Sequence, residues 1–327
     1  MLYAGLDVHK NFCQAIVMTK GGKVVREDKI GTEKKDIEEF FYGLKNVRVA
    51  FEASMYYEYV YEILNGLGYK VSLSHPLKTR LIAESRIKTD KIDAKALADL
   101  LRTGLLPTSY IPPEDIRKMR HLVRHRIFLG RHRTKLKNHI HSELNRRNLK
   151  FCGSDVFTKA GMKWLQVLDI PAINSYLVIL DAVLNEVKSV ELEIKIEGMK
   201  YDEVRLLSTI PGIGVYSALI IFSEIGDINR FSSEEKLYSY AGMIPRVHQS
   251  GESSYHGRIT KEGSKHLRWI LVEALRIHIQ CAPDSKVTHY YYRLKKKKPG
   301  NVATIAGARK LLQVIYHMLK NKDEYRG

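Results

Sequence analysis

Residues 2–30, LYAGLDVHKNFCQAIVMTKGGKVVREDKI, hold three runs rich in β-forming residues. LYAGLDV (2–8) and FCQAIVM (12–18) are separated by a short polar turn, TKGGK is a hairpin signal, and VVREDKI (24–30) supplies the third run. Connections this short make the three strands an antiparallel meander. The pattern then changes to a helical stretch (33–44), a strand VRVAFEA (47–53), a helix (57–67), a strand KVSLSH (70–75) and helical segments up to Leu105. The meander leaves one edge of the first strand open, and a right-handed crossover brings the fourth strand parallel to it. Asp7, near the end of the first strand, then lies beside Glu52, near the end of the fourth. Ligands in such sheets bind outside the carboxyl ends of the parallel strands.

Further on, KTDKIDAKALADLL (88–101) places Asp90 and Asp93 three positions apart, before the helical spacing of Ala94, Leu97, Leu100 and Leu101. In one reading Asp90 is a helix N-cap and Asp93 a first-turn acid favoured by the helix dipole. In the other, both carboxylates share a helix face, where they repel unless a cation sits between them. A helix following a later strand can fold back over the strand ends, so Asp7, Glu52, Asp90 and Asp93 could converge. Four carboxylates in one place require a metal.

The charge balance points to a polyanion. Fifty-four Lys and Arg against 36 Asp and Glu give a formal charge of +18, with a pI near 9.6, the electrostatic footprint of a nucleic-acid binder. No apolar run is long enough to span a bilayer, and MLYAGLDVHK has no signal-peptide layout, so no membrane partner is expected. Cys13, Cys152 and Cys281 are isolated from one another. They indicate neither a disulfide framework nor a zinc site, and suit a reducing cytoplasm.

Proline density around PTSYIPPED (107–115) marks a boundary, which sets a first domain at 1–112. Residues 117–150 then carry twelve Lys or Arg, five His and one acid, Glu143. Leu122, Leu129 and Leu136 repeat at seven, continued by Ile140 and Leu144, which reads as an amphipathic helix with an apolar seam and a phosphate-facing remainder. Arg117, Arg120, Arg124, Arg126, Arg131, Arg133, Lys135 and Lys137 are its candidate nucleic-acid contacts; a charged face that is merely solvated normally mixes signs. A second helix (174–196) has Leu177, Leu180, Leu184, Val187 and Ile194 at coiled-coil spacing, to pair with the first helix or with its copy in another subunit. Together these make a helical coiled-coil arm over 113–200.

The last third (201–327) opens with Pro211-Gly212-Ile213-Gly214 between two apolar helices. This is the layout of a helix-hairpin-helix, in which Gly212 and Gly214 let backbone N–H groups approach a phosphate; a plain helical turn is the alternative. YAGMIPRVHQSGESSYHGRITKEGSKHLRW (240–269) reads as a loop-like run, followed by a helix over WILVEALRIHI and a closing helix from Ala303 to Leu319.

GLDVHK, FEAS, KTDKIDAKALADLL and PGIG...YAGMIPRVHQSG...GRITKEGSKHLRW occur in an order and spacing that resembles the DEDD-type transposases of bacterial and archaeal insertion sequences, the insertion sequence 110 family. The likeness covers nearly the whole chain. It implies a RuvC-like N-terminal domain of the RNase H fold, a helical coiled-coil arm and a mostly α C-terminal transposase domain. It further implies oligomers, dimers or tetramers, that cut and rejoin DNA at element ends and target, guided by a noncoding bridge RNA in a prokaryotic, nucleoid-associated setting. Carried over by position, Asp7, Glu52, Asp90 and Asp93 become the acidic tetrad and Ser250 in HQSG the nucleophile. Gly251-Glu252 follows that serine, and Ser253 and Ser254 lie close by. Mg²⁺ suits carboxylate oxygens, and two ions per active site stabilise the attacking and leaving oxygens of phosphoryl displacement. A serine hydroxyl needs activation, and Arg246, His248, Arg258 and Lys261 are candidates for binding phosphate and transition-state charge. Two other functions compete: an RNase H-like nuclease of junction-resolvase type with water as nucleophile, and a nucleic-acid scaffold whose acids are structural.

Overall fold

The computed structural model describes residues 1–82, 89–250 and 253–327, and for 247–250 and 253–256 the backbone alone. The chain divides into two compact units, Met1–Ile111 and Pro112–Gly327. Among the described residues, no helix is long and apolar enough to cross a membrane.

The first unit opens with the expected meander, β1 (Leu2–Val8), β2 (Phe12–Thr19) and β3 (Val24–Gly31). Next come α1 (Lys34–Phe41), β4 (Val47–Glu52), α2 (Tyr57–Gly66), β5 (Lys70–Ser74), α3 (Pro76–Ile82), α4 (Asp90–Thr103) and β6 (Thr108–Ser109). The sheet order is β3-β2-β1-β4-β5-β6. β4 runs parallel to β1 with Leu6 opposite Phe51, and β5 parallel to β4. The order is consistent with an α/β domain of RuvC-like type. β6 was not foreseen: Thr108 and Ser109 pair antiparallel with the end of β5 inside the proline-rich break. Two residues are too short to show alternation in the sequence, and only the open edge of β5 makes them a strand.

Side-chain alternation along the strands sorts this unit into layers. Ala4, Leu6, Val49 and Phe51 pack with Ile37, Phe40 and Phe41 of α1 and Val60, Ile63 and Leu64 of α2. On the other face Tyr3, Ile16, Met18 and Ala50 pack with Ala94, Leu97, Ala98 and Leu101 of α4. Between Tyr3 and Asp7 on that second face stands Gly5. A Cβ built there would lie 2.0 Å from the Ala94 carbonyl oxygen and 2.7 Å from the Ala98 nitrogen. α4 therefore rests backbone to backbone on β1.

The second unit consists of α5 (Glu114–Arg146), α6 (Lys159–Val167), α7 (Pro171–Gly198), α8 (Asp202–Leu207), α9 (Val215–Ile225), α10 (Glu234–Tyr240), β7 (Pro245–Ser250), β8 (Ser253–Ile259), α11 (Lys265–Cys281), α12 (Lys286–Lys295) and α13 (Gly300–Asn321). α5, about 50 Å long at 1.5 Å per residue, packs beside α7. Its buried residues differ in part from the heptad read in the sequence. Ile116, Met119, Val123, Ile127 and Leu129 join a core with Val187, Val190 and Ile194 of α7 and with α8 to α13. Ile140 and Leu144 join a separate cluster with Leu165, Ile173, Leu177 and Leu180, while Leu122 and Leu136 are half-buried. The two ends of α5 thus meet different partners, and no residue from 130 to 139 is buried. The base of the arm and the last third share one apolar core. The loop-like reading of 240–269 is corrected: β7 and β8 pair there as a hairpin through the backbone, so its polar side chains left no apolar alternation in the sequence.

Gly5→Ala should force α4 off β1. Urea unfolding is expected to show a loss of about 1–3 kcal/mol, the usual cost of overpacking, with an unchanged m-value.

Candidate functional site

The backbone contact at Gly5 places the acids. Asp90 lies four residues, just over one helical turn, before Ala94, a rise of about 6 Å, and Asp7 lies two residues beyond Gly5, about 6.6 Å along the strand. The first turn of α4 therefore comes down on Asp7. Thr89, not Asp90, is the N-cap: its hydroxyl accepts from the Ile92 N–H at 3.3 Å. Asp90 and Asp93 both lie in the first turn, where the helix dipole partly offsets their repulsion. Glu52 ends β4, one residue after the Leu6–Phe51 pair, on the same sheet face as Asp7 and with its side chain exposed.

Burial pushes the Asp7 carboxyl above its usual range; His9 opposes the shift, and the charges of Asp90 and Asp93 add to it. His9 was missed in the sequence. Its Nε2 stands 3.1 Å from Asp7 Oδ2 and 3.4 Å from Asp90 Oδ1, and its ring stacks on Phe12 at 4.6 Å. The signal was available as the histidine two residues after Asp7, but a turn position without tertiary context gave no reason to aim it at the acids. Asp7, His9 and Asp90 each offer one ligand atom, all within 4.8 Å of one another. Asp93 contributes through its charge on Asp7, and Glu52 by position on the adjacent strand. A predominantly oxygen donor set with partly buried, mutually repelling acids fits a hard divalent cation.

The candidate cations of α5 fall into two groups. Arg117 is buried and donates to the Pro112 carbonyl at 2.7 Å. Arg120 donates to the Ser223 and Glu224 carbonyls at the end of α9, Arg124 forms a bidentate pair with Glu224, and Arg126 pairs with Glu191. The expected single-signed face is therefore partly neutralised inside the protein, because acids distant in sequence fold against it. Glu143 likewise pairs with Arg146 and Arg147. Arg131 and Lys135 are exposed and Arg133 and Lys137 half-exposed on the stretch without buried residues, where the Lys137 ammonium lies 4.2 Å from the Phe157 ring centre.

In the last third, Ile210 to Ile213 form a turn closed by Ile213 N–H to Ile210 O at 3.0 Å, with Gly212 at φ +89°. Gly212 faces inward: a Cβ there would lie 2.7 Å from the His278 nitrogen, so close packing on α11 accounts for this glycine. Gly214 precedes α9 as its N-cap residue, with open space where a Cβ would stand. Ser250 ends β7 opposite Ser253, with Ser254 paired to Gln249. The side chains of His248, Ser250, Ser253 and Ser254 lie outside what is described, as do Gly251 and Glu252 altogether. Arg246, Arg258 and Lys261 are exposed at the base of this hairpin.

Known transposases resemble this chain over most of its length. The family described as Transposase IS116/IS110/IS902 matches residues 204–292, and a DEDD transposase family of IS110 type matches residues 4–148. The chain is 24% identical to the transposase for insertion sequence element IS1111A of Coxiella burnetii, over 98% of this chain and 90% of that protein. It is 27% identical to y4qE of Sinorhizobium fredii, over 73% of this chain and 60% of that protein. A pilin gene-inverting protein of Moraxella bovis is 35% identical over 37% of this chain and 38% of its own length. With residues 4–148 and 204–292 matched by two models of IS110-type transposases, the chain belongs to the IS110 family of DEDD transposases, enzymes of DNA transposition.

Proposed function

We propose that this transposase cuts and rejoins DNA at insertion-sequence ends with a Mg²⁺-binding tetrad, Asp7, Glu52, Asp90 and Asp93, and with Ser250 as nucleophile. DEDD family membership implies dependence on a divalent metal. The observation that carries the reading is the descent of the α4 first turn onto Asp7, with His9 between Asp7 and Asp90. Two bound Mg²⁺ ions would stabilise the attacking and leaving oxygens of an in-line displacement. In that displacement Ser250 Oγ loses its proton and bonds to phosphorus, the phosphodiester bond to the leaving oxygen breaks, and that oxygen takes up a proton. The phosphoserine ester keeps the phosphoryl bond energy, so the strand can be rejoined to a new partner without ATP. Arg246, His248, Arg258 and Lys261 would hold the phosphate.

The decisive assay is labelled element-junction DNA with Mg²⁺ and the element's flanking RNA, read for a covalent protein–DNA adduct. Asp90→Ala should abolish cleavage while leaving the fold intact, since Asp90 is half-exposed and its removal relieves repulsion. Ser250→Ala should keep nucleic-acid binding and lose the adduct. Cleavage that survives every change at Ser250, Ser253 and Ser254 would favour a water-attacking nuclease.

The nucleic-acid face is assigned to Arg131, Arg133, Lys135 and Lys137, and the guide to a noncoding bridge RNA, as the family resemblance implies. Arg131→Gln with Lys135→Gln should flatten the salt dependence of binding by about 0.9 in log–log slope per lost phosphate contact, equally for all sequences. Arg124→Gln should change that slope little, because Arg124 is engaged by Glu224.

A homo-oligomer is supported by the outer side of α7, where Val178, Leu192, Ile196 and Met199 are 73%, 60%, 56% and 44% exposed. With Ala182, Asn185 and Ser189 they recur at steps of three and four, a seam suited to a second copy. Leu192→Lys with Ile196→Lys should shift sedimentation to a lighter species; an unchanged profile would place the interface elsewhere.

A further inference from the structure

We propose that Glu224 is a positioning residue that holds the serine hairpin against the basic helix α5. The inference rests on the reading of Ser250 as nucleophile. Glu224 is 1% exposed at the end of α9, and a carboxylate taken out of water persists only where charged and hydroxyl donors surround it. Arg124 Nε donates to Oε1 at 2.9 Å and Arg124 Nη2 to Oε2 at 3.1 Å. The Ser264 hydroxyl donates to Oε2 at 2.9 Å. The backbone is held as well, since the Glu224 carbonyl accepts from Arg120 at 2.9 Å and from the Tyr240 hydroxyl at 3.0 Å.

Two of these partners, Tyr240 and Ser264, lead to the ends of the β7–β8 hairpin. Tyr240 ends α10, five residues before β7, and Ser264 follows β8 by five and caps α11 through the Leu267 N–H. The two flanks are tied to each other beneath the hairpin. Ser264 N–H donates to the Tyr240 carbonyl, Lys261 N–H to that of Gly242 and Thr260 N–H to that of Ile244, at 3.1, 3.2 and 2.9 Å. Arg268 adds a bond to the Ala241 carbonyl at 2.8 Å. Gly263 lets the flanks close: a Cβ there would lie 2.1 Å from the Tyr240 oxygen. Glu224 thus holds the β8 flank through its carboxylate and the β7 flank through its carbonyl, and the carboxylate joins them to a helix whose next turns carry Arg131 and Lys135. Glu224, Arg124, Tyr240 and Ser264 are assigned no contact with the reacting atoms; their role is to set where the hairpin stands.

The test combines hydrogen exchange with kinetics on the full-length protein. In Glu224→Gln, one carboxylate oxygen becomes an NH₂ that faces the Arg124 donors. Backbone amides of Val247–Ser250 and Ser253–Ile259 should then exchange about tenfold faster, as expected for a local opening, while those of α13 keep their protection. Cleavage at saturating junction DNA should fall by about a hundredfold, the scale of a misplaced reacting group, with DNA affinity unchanged. If Glu224→Gln does not fold, Ser264→Ala and Arg124→Gln provide the same two readouts with one partner removed. Arg124→Gln combined with Glu224→Gln, a neutral pair, should restore part of the rate lost by either change alone. Wild-type exchange in the hairpin, or a loss appearing in affinity rather than turnover, would overturn the proposal. Failure of the nucleophile reading is seen separately, as adduct formation that persists in Ser250→Ala, whatever the exchange rates.

Discussion

The first unit depends on a helix backbone lying directly on a strand backbone. Gly5 admits Ala94 and Ala98 at a distance no side chain would allow, and that contact sets the height of α4 above the sheet. The acids follow from it, since a turn of helix and two residues of strand advance by similar lengths. Asp90 and Asp93 come to Asp7 because the small residues beside them let α4 settle. The cost is electrostatic: a carboxyl driven up by burial and by its neighbours. His9 offsets part of that cost, which explains an imidazole among residues otherwise suited to a hard cation.

The second unit distributes its charge by the same logic. A helix with ten cations between residues 117 and 146 would repel itself if all of them faced water. Inside the unit, Glu191 and Glu224 answer Arg126 and Arg124, and Glu143 answers Arg146 and Arg147. Arg120 instead binds the last carbonyls of α9, where the helix dipole favours a cation. What remains is concentrated between 131 and 137, on the part of α5 without buried residues. Some of the arm's arginines therefore serve stability, and a smaller set is free for a polyanion.

The sheet order was legible because three short connections force a meander and the crossover rule leaves one edge for β4. The pairing of Asp7 with Glu52 at neighbouring strand ends followed from that order alone. The hairpin carrying Ser250 was not legible, because strands held by backbone pairing between polar residues leave no apolar rhythm. Nor was β6, which exists only because the β5 edge is open. Gly212 shows the limit of motif reading: its sequence context fits a phosphate turn, but its packing against α11 explains it.

By itself the sequence determined the order of elements, the acids at the strand ends, the surplus of positive charge and, through its motifs, the family. These are properties of local spacing and composition, and they survive without knowledge of distant contacts. Only the tertiary structure decided that Thr89 and not Asp90 caps α4, that His9 stands between Asp7 and Asp90, and that Arg120 and Arg124 belong to Glu224. The cap is a local bond three residues long, but the other two depend on partners about eighty to a hundred residues away or on a helix settling on a strand where no Cβ would fit. Distances of that kind are set by packing, and no periodicity in the chain encodes them.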